Sequence, residues 1–190
     1  MNEHIVSLIS KLRESPENQD LINDIGVHFL INKNYEEAVK YFKRNLTINI
    51  NNYISHFNLG SAYENIKKTN HAIDHYNKAL EINNNFELAY FRLGNIYLSL
   101  GKLDLAIDFF TKSISINSKN IISLINRGVS HQKSGNLNKA LKDLNLAISL
   151  DSNNCLALIN RGNIYKSLNE IDKAEADYDK VLYHEPNYAE

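Results

Sequence analysis

Tryptophan is absent, cysteine and methionine occur once each, and proline occurs only twice in 190 residues. The lone cysteine, Cys155, excludes an intramolecular disulfide, and no CxxC or His/Cys cluster offers the spacing of a zinc site. Excess charge is lacking too: 21 Lys and Arg oppose 22 Asp and Glu, for a net charge of -1. That balance withholds the long-range attraction by which nucleic-acid and anionic-membrane binders find their targets. No apolar run approaches the roughly 18 residues of a membrane span. The opening MNEHIVSLISKLRESPE mixes charge into every turn, unlike the apolar centre of a signal peptide. Catalytic motifs are missing as well, with no GxSxG, GxGxxG, GKS, GKT or HExxH. The expectation is a cytoplasmic, non-enzymatic protein without metal or cofactor, whose partners are neither nucleic acid nor membrane.

What is present is periodic. Gly26, Gly60, Gly94, Gly128 and Gly162 are spaced by 34 residues, and the remaining two glycines, Gly101 and Gly135, are also 34 apart. Pro16 and Pro186 are separated by 170 residues, five such periods. Ala38, Ala72, Ala106, Ala140 and Ala174 keep the same step. A large side chain follows each alanine by four residues: Phe42, Tyr76, Phe110, Leu144 and Tyr178. A period in the range of roughly 20 to 50 residues marks stacked supersecondary units.

Each period reads as two helices. HFNLGSAYENIKK and LAYFRLGNIYLSLG repeat apolar residues at helical spacing, the latter ending at Gly101, and KLDLAIDFFTKSISI forms a second helix that runs into a polar stop. Glycine inside a helix costs about 1 kcal/mol against alanine, so five in register imply a close approach of the two helices. The repeat alanine is expected to supply the facing surface. Where Ile25, Leu59 or Leu93 precedes the glycine, the residue 16 places later is Tyr41, His75 or Phe109. Where Arg127 or Arg161 precedes it, that residue is Asp143 or Asp177. The exchange in step predicts structural ion pairs Arg127–Asp143 and Arg161–Asp177.

These residues resemble the tetratricopeptide repeat, whose pattern is W-x2-L-G-x2-Y, then A-x3-F, then P. The unit FNLGSAYENIKKTNHAIDHYNKALEI carries Leu59, Gly60, Tyr63, Ala72, Tyr76 and Ala79 at those places, while the tryptophan place holds Ile22, His56, Tyr90, Leu124 and Leu158. The resemblance implies an all-α fold, an α-solenoid in which helix-turn-helix repeats stack into a right-handed superhelix. One solenoid over 1-190 is expected, with a half-repeat helix at 3-14 and full repeats at 19-52, 53-86, 87-120, 121-154 and 155-188. Residues 189-190 would begin a missing repeat or cap. That would leave an apolar face around Ile164, Leu168, Ala174, Tyr178 and Leu182 for self-association through the uncapped C-terminal repeat.

By the same resemblance, the first helix of each repeat lines a concave groove. Asn58, Asn126 and Asn160 stand two residues before a repeat glycine, and Asn95 and Asn163 one residue after. Their amides can both donate to and accept from a peptide main chain. Phe57, Phe91, Ile125 and Ile159, with Ile54, Leu88, Ile122 and Leu156 one turn earlier, would anchor apolar side chains. Asp24 and Arg92 interrupt the amide series. The clamp for chaperone carboxy-terminal tails needs Lys and Arg where this chain has Asn23, Phe57, Leu156 and Asn160. The implied function is a protein–protein interaction scaffold that binds a peptide segment of a partner. Two alternatives remain: the recognition module of a longer enzyme such as a glycosyltransferase, and an RNA-binding helical-repeat protein. Arg92, Lys133 and Lys166 are few cations for the latter. His71 and His75, four residues apart, read as a solvated outer face, and His131 as a core substitution for tyrosine.

Overall fold

The computed structural model describes residues 3–186, so the expected start of a further repeat at 189-190 lies outside the described residues. Among these there are eleven α-helices and no strand. They are α1 (Glu3–Glu14), α2 (Gln19–Ile31), α3 (Tyr35–Ile48), α4 (Tyr53–Asn65), α5 (Thr69–Ile82), α6 (Glu87–Ser99), α7 (Leu103–Ile116), α8 (Ile121–Lys133), α9 (Leu137–Leu150), α10 (Cys155–Ser167) and α11 (Ile171–His184). The chain divides into two compact units, Met1–Ala89 and Tyr90–Glu190, with the boundary inside α6.

Asparagine starts the first helix of most hairpins. The side chains of Asn18, Asn52, Asn120 and Asn154 accept hydrogen bonds from the backbone N–H of Leu21, Ser55, Ser123 and Ala157, at 2.9–3.1 Å. Each satisfies one of the donors that a helix start leaves without a partner. The same helices end on a left-handed residue: Lys33, Lys67, Gly101, Gly135 or Asn169, with φ between 59° and 80°. The next N–H then turns back to the tyrosine place, as from Lys68 to the Tyr63 carbonyl at 2.9 Å and from Asn136 to His131 at 2.8 Å.

In the first unit, α1 lays Ile5, Leu8 and Leu12 against Ile22 and Ile25 of α2, with Ile9 at the margin. The two hairpins that follow, α2–α3 and α4–α5, close around the repeat glycines. The alanine supplies only part of the facing surface, the Ala72 carbonyl lying 3.3 Å from a Cβ placed on Gly60, and a ring comes nearer than the sequence-based expectation had it. A Cβ added to Gly60 would sit 2.8 Å from the Tyr76 ring, and one on Gly26 would sit 2.6 Å from Phe42. The large residue that follows the alanine by four lies over the glycine. Glycine is therefore required by a ring, and the fully buried alanine packs beside it.

The second unit repeats this arrangement with Gly94 under Phe110 and Gly162 under Tyr178, while Gly128 meets the slimmer Leu144 at 3.2 Å. Its core gathers Leu124, Ile125, Ala140, Leu144, Ala147, Ala157 and Ile164. Two residues of the expected apolar end face are thereby removed from it. Ile164 is turned inward into that cluster and Ala174 is 2 % exposed. Leu168, Ile171, Leu182 and Tyr183, with Leu156 at the start of α10, are the exposed large apolar residues of α10, α11 and the turn between them.

Candidate functional site

The amides on the first helices meet one another. In the first unit Asn58 of α4 donates through Nδ2 to Oδ1 of Asn23 on α2, at 3.0 Å. In the second, Asn126 of α8 donates to Asn95 of α6 at 2.8 Å. Asn160 turns back on its own helix, donating to the Leu156 carbonyl at 2.7 Å, and Asn163 accepts from the Tyr178 hydroxyl at 2.9 Å. The first helices α2 and α4, and α6 and α8, are thus cross-braced by amide pairs. Each amide has two N–H groups and two lone-pair sites, so one such bond leaves capacity on the same face.

The apolar positions separate into two rows. Phe57 is half-buried, with its ring 4.9 Å from Phe86 and 5.4 Å from Tyr76. Phe91 stands 6.2 Å from Phe110, and Ile159 is half-buried. Ile125 is 4 % exposed and belongs to the core, so it is no surface anchor. Phe57 and Phe91 lean toward the second helix of their own hairpin, and Phe57 also meets Phe86 just before α6. One turn earlier, the sequence-equivalent residues point outward: Ile54 is 43 %, Leu88 47 %, Ile122 59 % and Leu156 55 % exposed. Arg92, half-buried on α6, lies three residues from Asn95.

The place between the two helices of a hairpin carries the strongest polar contacts. Arg127 donates from Nε and Nη2 to both Asp143 oxygens at 2.8 and 2.7 Å, and from Nη1 to Thr111 at 3.1 Å. Arg161 repeats the fork on Asp177 at 2.8 and 2.6 Å and reaches Asn145. The carboxylates are about 4–5 % exposed as side chains, and the hydrogen bond to Asp177 raises the Arg161 pKa. A two-pronged, charge-assisted contact of this kind is among the stronger hydrogen-bonded arrangements in proteins.

In the first unit the equivalent place holds His75, which was read as a solvated face. It is half-buried, 3.0 Å Nδ1 to Nδ1 from His56 and stacked on Tyr63 at 5.6 Å. His56 Nε2 is 2.9 Å from the Ile50 carbonyl. A carbonyl only accepts, so His56 carries its proton on Nε2, and its bare Nδ1 accepts from His75 Nδ1–H. Burial, then His56 and Lys78, push the His75 pKa down to about 4 against an opposing pull from Asp74. Burial also lowers His56. The signal was in the sequence, since His56 holds the tryptophan place and His75 the place paired with Leu59. His131, 8 % exposed, is likewise lowered by burial and leaves its Nδ1 without a partner.

Burial raises the Cys155 pKa, with Glu185 adding to the shift, which keeps the thiol protonated and a poor nucleophile. Among the described residues no three His, Cys, Asp or Glu side chains converge as a metal site, and no helix is long and apolar enough to cross a membrane.

Known proteins match this arrangement. Tetratricopeptide repeat models match residues 53–86, 88–120 and 155–188, and a further model of that repeat matches 122–154. A TPR repeat-containing protein of Borreliella burgdorferi is 48 % identical over 46 residues, 24 % of this chain and 20 % of that protein, so the chain matches a fifth of that relative's length. MamA from residue 41 to its end, from Desulfovibrio magneticus RS-1, has a TM-score of 0.82 at 19 % identity, covering 90 % of this chain and 97 % of that one. YrrB, described as a TPR protein with an unusual peptide-binding site, has a TM-score of 0.79 at 18 % identity, covering 96 % and 94 %. The fold is an all-α repeat solenoid, a class whose members generally act as non-enzymatic scaffolds for protein or peptide partners. With repeat models matching well over half of its residues, the chain belongs to the tetratricopeptide repeat family.

Proposed function

We propose that this chain is a non-enzymatic cytoplasmic scaffold that holds a peptide segment of a partner protein on the first-helix faces of its repeats. One observation carries this reading: sequence-equivalent aliphatic side chains stand out in water, Ile54 and Leu88 in the first unit, Ile122 and Leu156 in the second, with paired amides one turn on from Ile54 and Ile122. Exposed apolar residues in register offer anchors, and neighbouring amides offer main-chain partners. The peptide-binding site attributed to YrrB supports the same use of this fold. The pair α2–α3 is proposed as a fifth repeat, 19-52, on its Asn18 cap and its Gly26 under Phe42. Self-association through Leu168, Ile171, Leu182 and Tyr183 is a second, separate use of the exposed apolar surface.

The test begins with partner segments captured by the full chain and resynthesised as peptides. Ile122→Ser with Leu156→Ser is expected to weaken their binding at least about tenfold, since anchors dominate affinity, while helicity is unchanged. Binding that survives this pair but is lost on His71→Ala would move the site to the second helices.

A further inference from the structure

We infer that the first-helix face of the second unit takes an acidic, aliphatic peptide segment; this names the ligand class of the site proposed above and rests on that reading. The basis is a segregation of charge. Helices α8 and α10 contain no Asp or Glu, and neither does α6 from Tyr90 onward. Their Lys and Arg are Arg92, Arg127, Lys133, Arg161 and Lys166. Asp143 and Asp177 already neutralise Arg127 and Arg161 inside the hairpins. Arg92, Lys133 and Lys166 have no ion-pair partner among the described residues, and both lysines are exposed. In the first unit the sign reverses: α2 and α4 carry Asp20, Asp24 and Glu64 and no Lys or Arg. A chain of net charge -1 has thus gathered unpaired cations on one set of helices and kept acids off it.

These cations stand beside the groups already assigned to the site. On α8, Ile122, Asn126, Val129 and Lys133 recur at steps of four, three and four residues, which puts them on one helical face. On α10, exposed Lys166 continues the Ile159–Asn163 stripe, about 80° round the helix from the outward Leu156. Arg92 is three residues from Asn95, to which Asn126 is bonded. Aliphatic anchors, main-chain-binding amides and unneutralised positive charge therefore share the first helices of the second unit. A ligand that satisfies all three carries aliphatic side chains and carboxylates on a peptide backbone. RNA fits less well. The outward anchors Ile122 and Leu156 are aliphatic and offer bases no ring to stack on, and three cations neutralise few phosphates.

The test is fluorescence anisotropy on the full chain with two labelled twelve-residue peptides of Leu, Ala and Glu, the second having Gln for every Glu. The Glu peptide is expected to bind about tenfold or more tightly at low salt, and that margin should collapse near 0.5 M salt as screening removes it. Lys133→Gln with Lys166→Gln should shrink the margin to less than about threefold, with circular dichroism and melting unchanged. Equal binding of both peptides by the parent chain overturns this inference and leaves the peptide-scaffold reading standing. Binding of neither overturns both. A labelled twelve-nucleotide oligo(U) that binds more tightly than the Glu peptide overturns the inference in favour of nucleic acid.

Discussion

The same place is filled in two chemically opposite ways in the two units. Between α4 and α5 of the first unit it holds Leu59 and the imidazole of His75, which reaches the His56 ring and stacks on Tyr63. Between α8 and α9, and again between α10 and α11, the second unit holds a guanidinium–carboxylate fork. The backbone frame is common to both: asparagine caps, a left-handed turn residue, and glycine under a large side chain. That frame accepts any pair of side chains that fills the gap and satisfies its own polar atoms. It leaves the units with different sensitivities, since imidazoles answer to protons and a buried fork to the loss of either member.

The largest effect should come from breaking a fork. Asp143→Ala leaves the Arg127 charge buried without a partner, and urea unfolding should show a loss of about 3–5 kcal/mol. Importing the apolar solution of a neighbouring repeat, Arg127→Leu with Asp143→Phe after Leu93 and Phe109, should restore most of that. A double variant as weak as Asp143→Ala would mean that the fork does more than fill the gap.

Acid is expected to distinguish the units next. The folded His75 pKa of about 4 lies below the ordinary value of 6.5, so between these pH values the unfolded chain binds more protons. Stability is full above pH 6.5 and falls as the pH drops toward 4. After allowance for partial exposure, the loss is about 1–2 kcal/mol. Hydrogen exchange resolved by helix should show α4 and α5 losing protection first. His75→Phe should flatten the dependence, and an unchanged slope would assign it to other groups.

A smaller contrast tests the glycine account. Gly60→Ala drives a methyl into the Tyr76 ring and should cost about 1–3 kcal/mol, the usual range for overpacking. Gly128→Ala faces Leu144 at 3.2 Å, where a slight shift suffices, and helix propensity returns about 1 kcal/mol. The expected melting change at Gly128 is therefore near zero. Equal losses at both sites would show that helix spacing, and not the ring, demands the glycine.

Periodicity made the helix pairs legible because glycine, alanine and the large residue after it recur in every repeat. The Arg–Asp forks were legible for a related reason: both partners changed together between repeats. Orientation within a helix was harder to read. Ile122 and Ile125 are alike in type and one turn apart, yet 59 % and 4 % exposed, because a three-residue step rotates the side chain toward the second helix. The ring's part at the glycine was missed since alanine and the ring four residues later share a helix face, and the ring reaches farther. His75 was misread because its partner, His56, is 19 residues away on another helix.

Amide chemical shifts of the isotope-labelled chain, followed as the Glu-bearing peptide is added, test the central claim most directly. Peptide on the first-helix face of the second unit should move resonances around Ile122, Asn126, Leu156 and Asn160 and leave α9 and α11 nearly still. Shifts concentrated on α9 and α11, or none at saturating peptide, would contradict it.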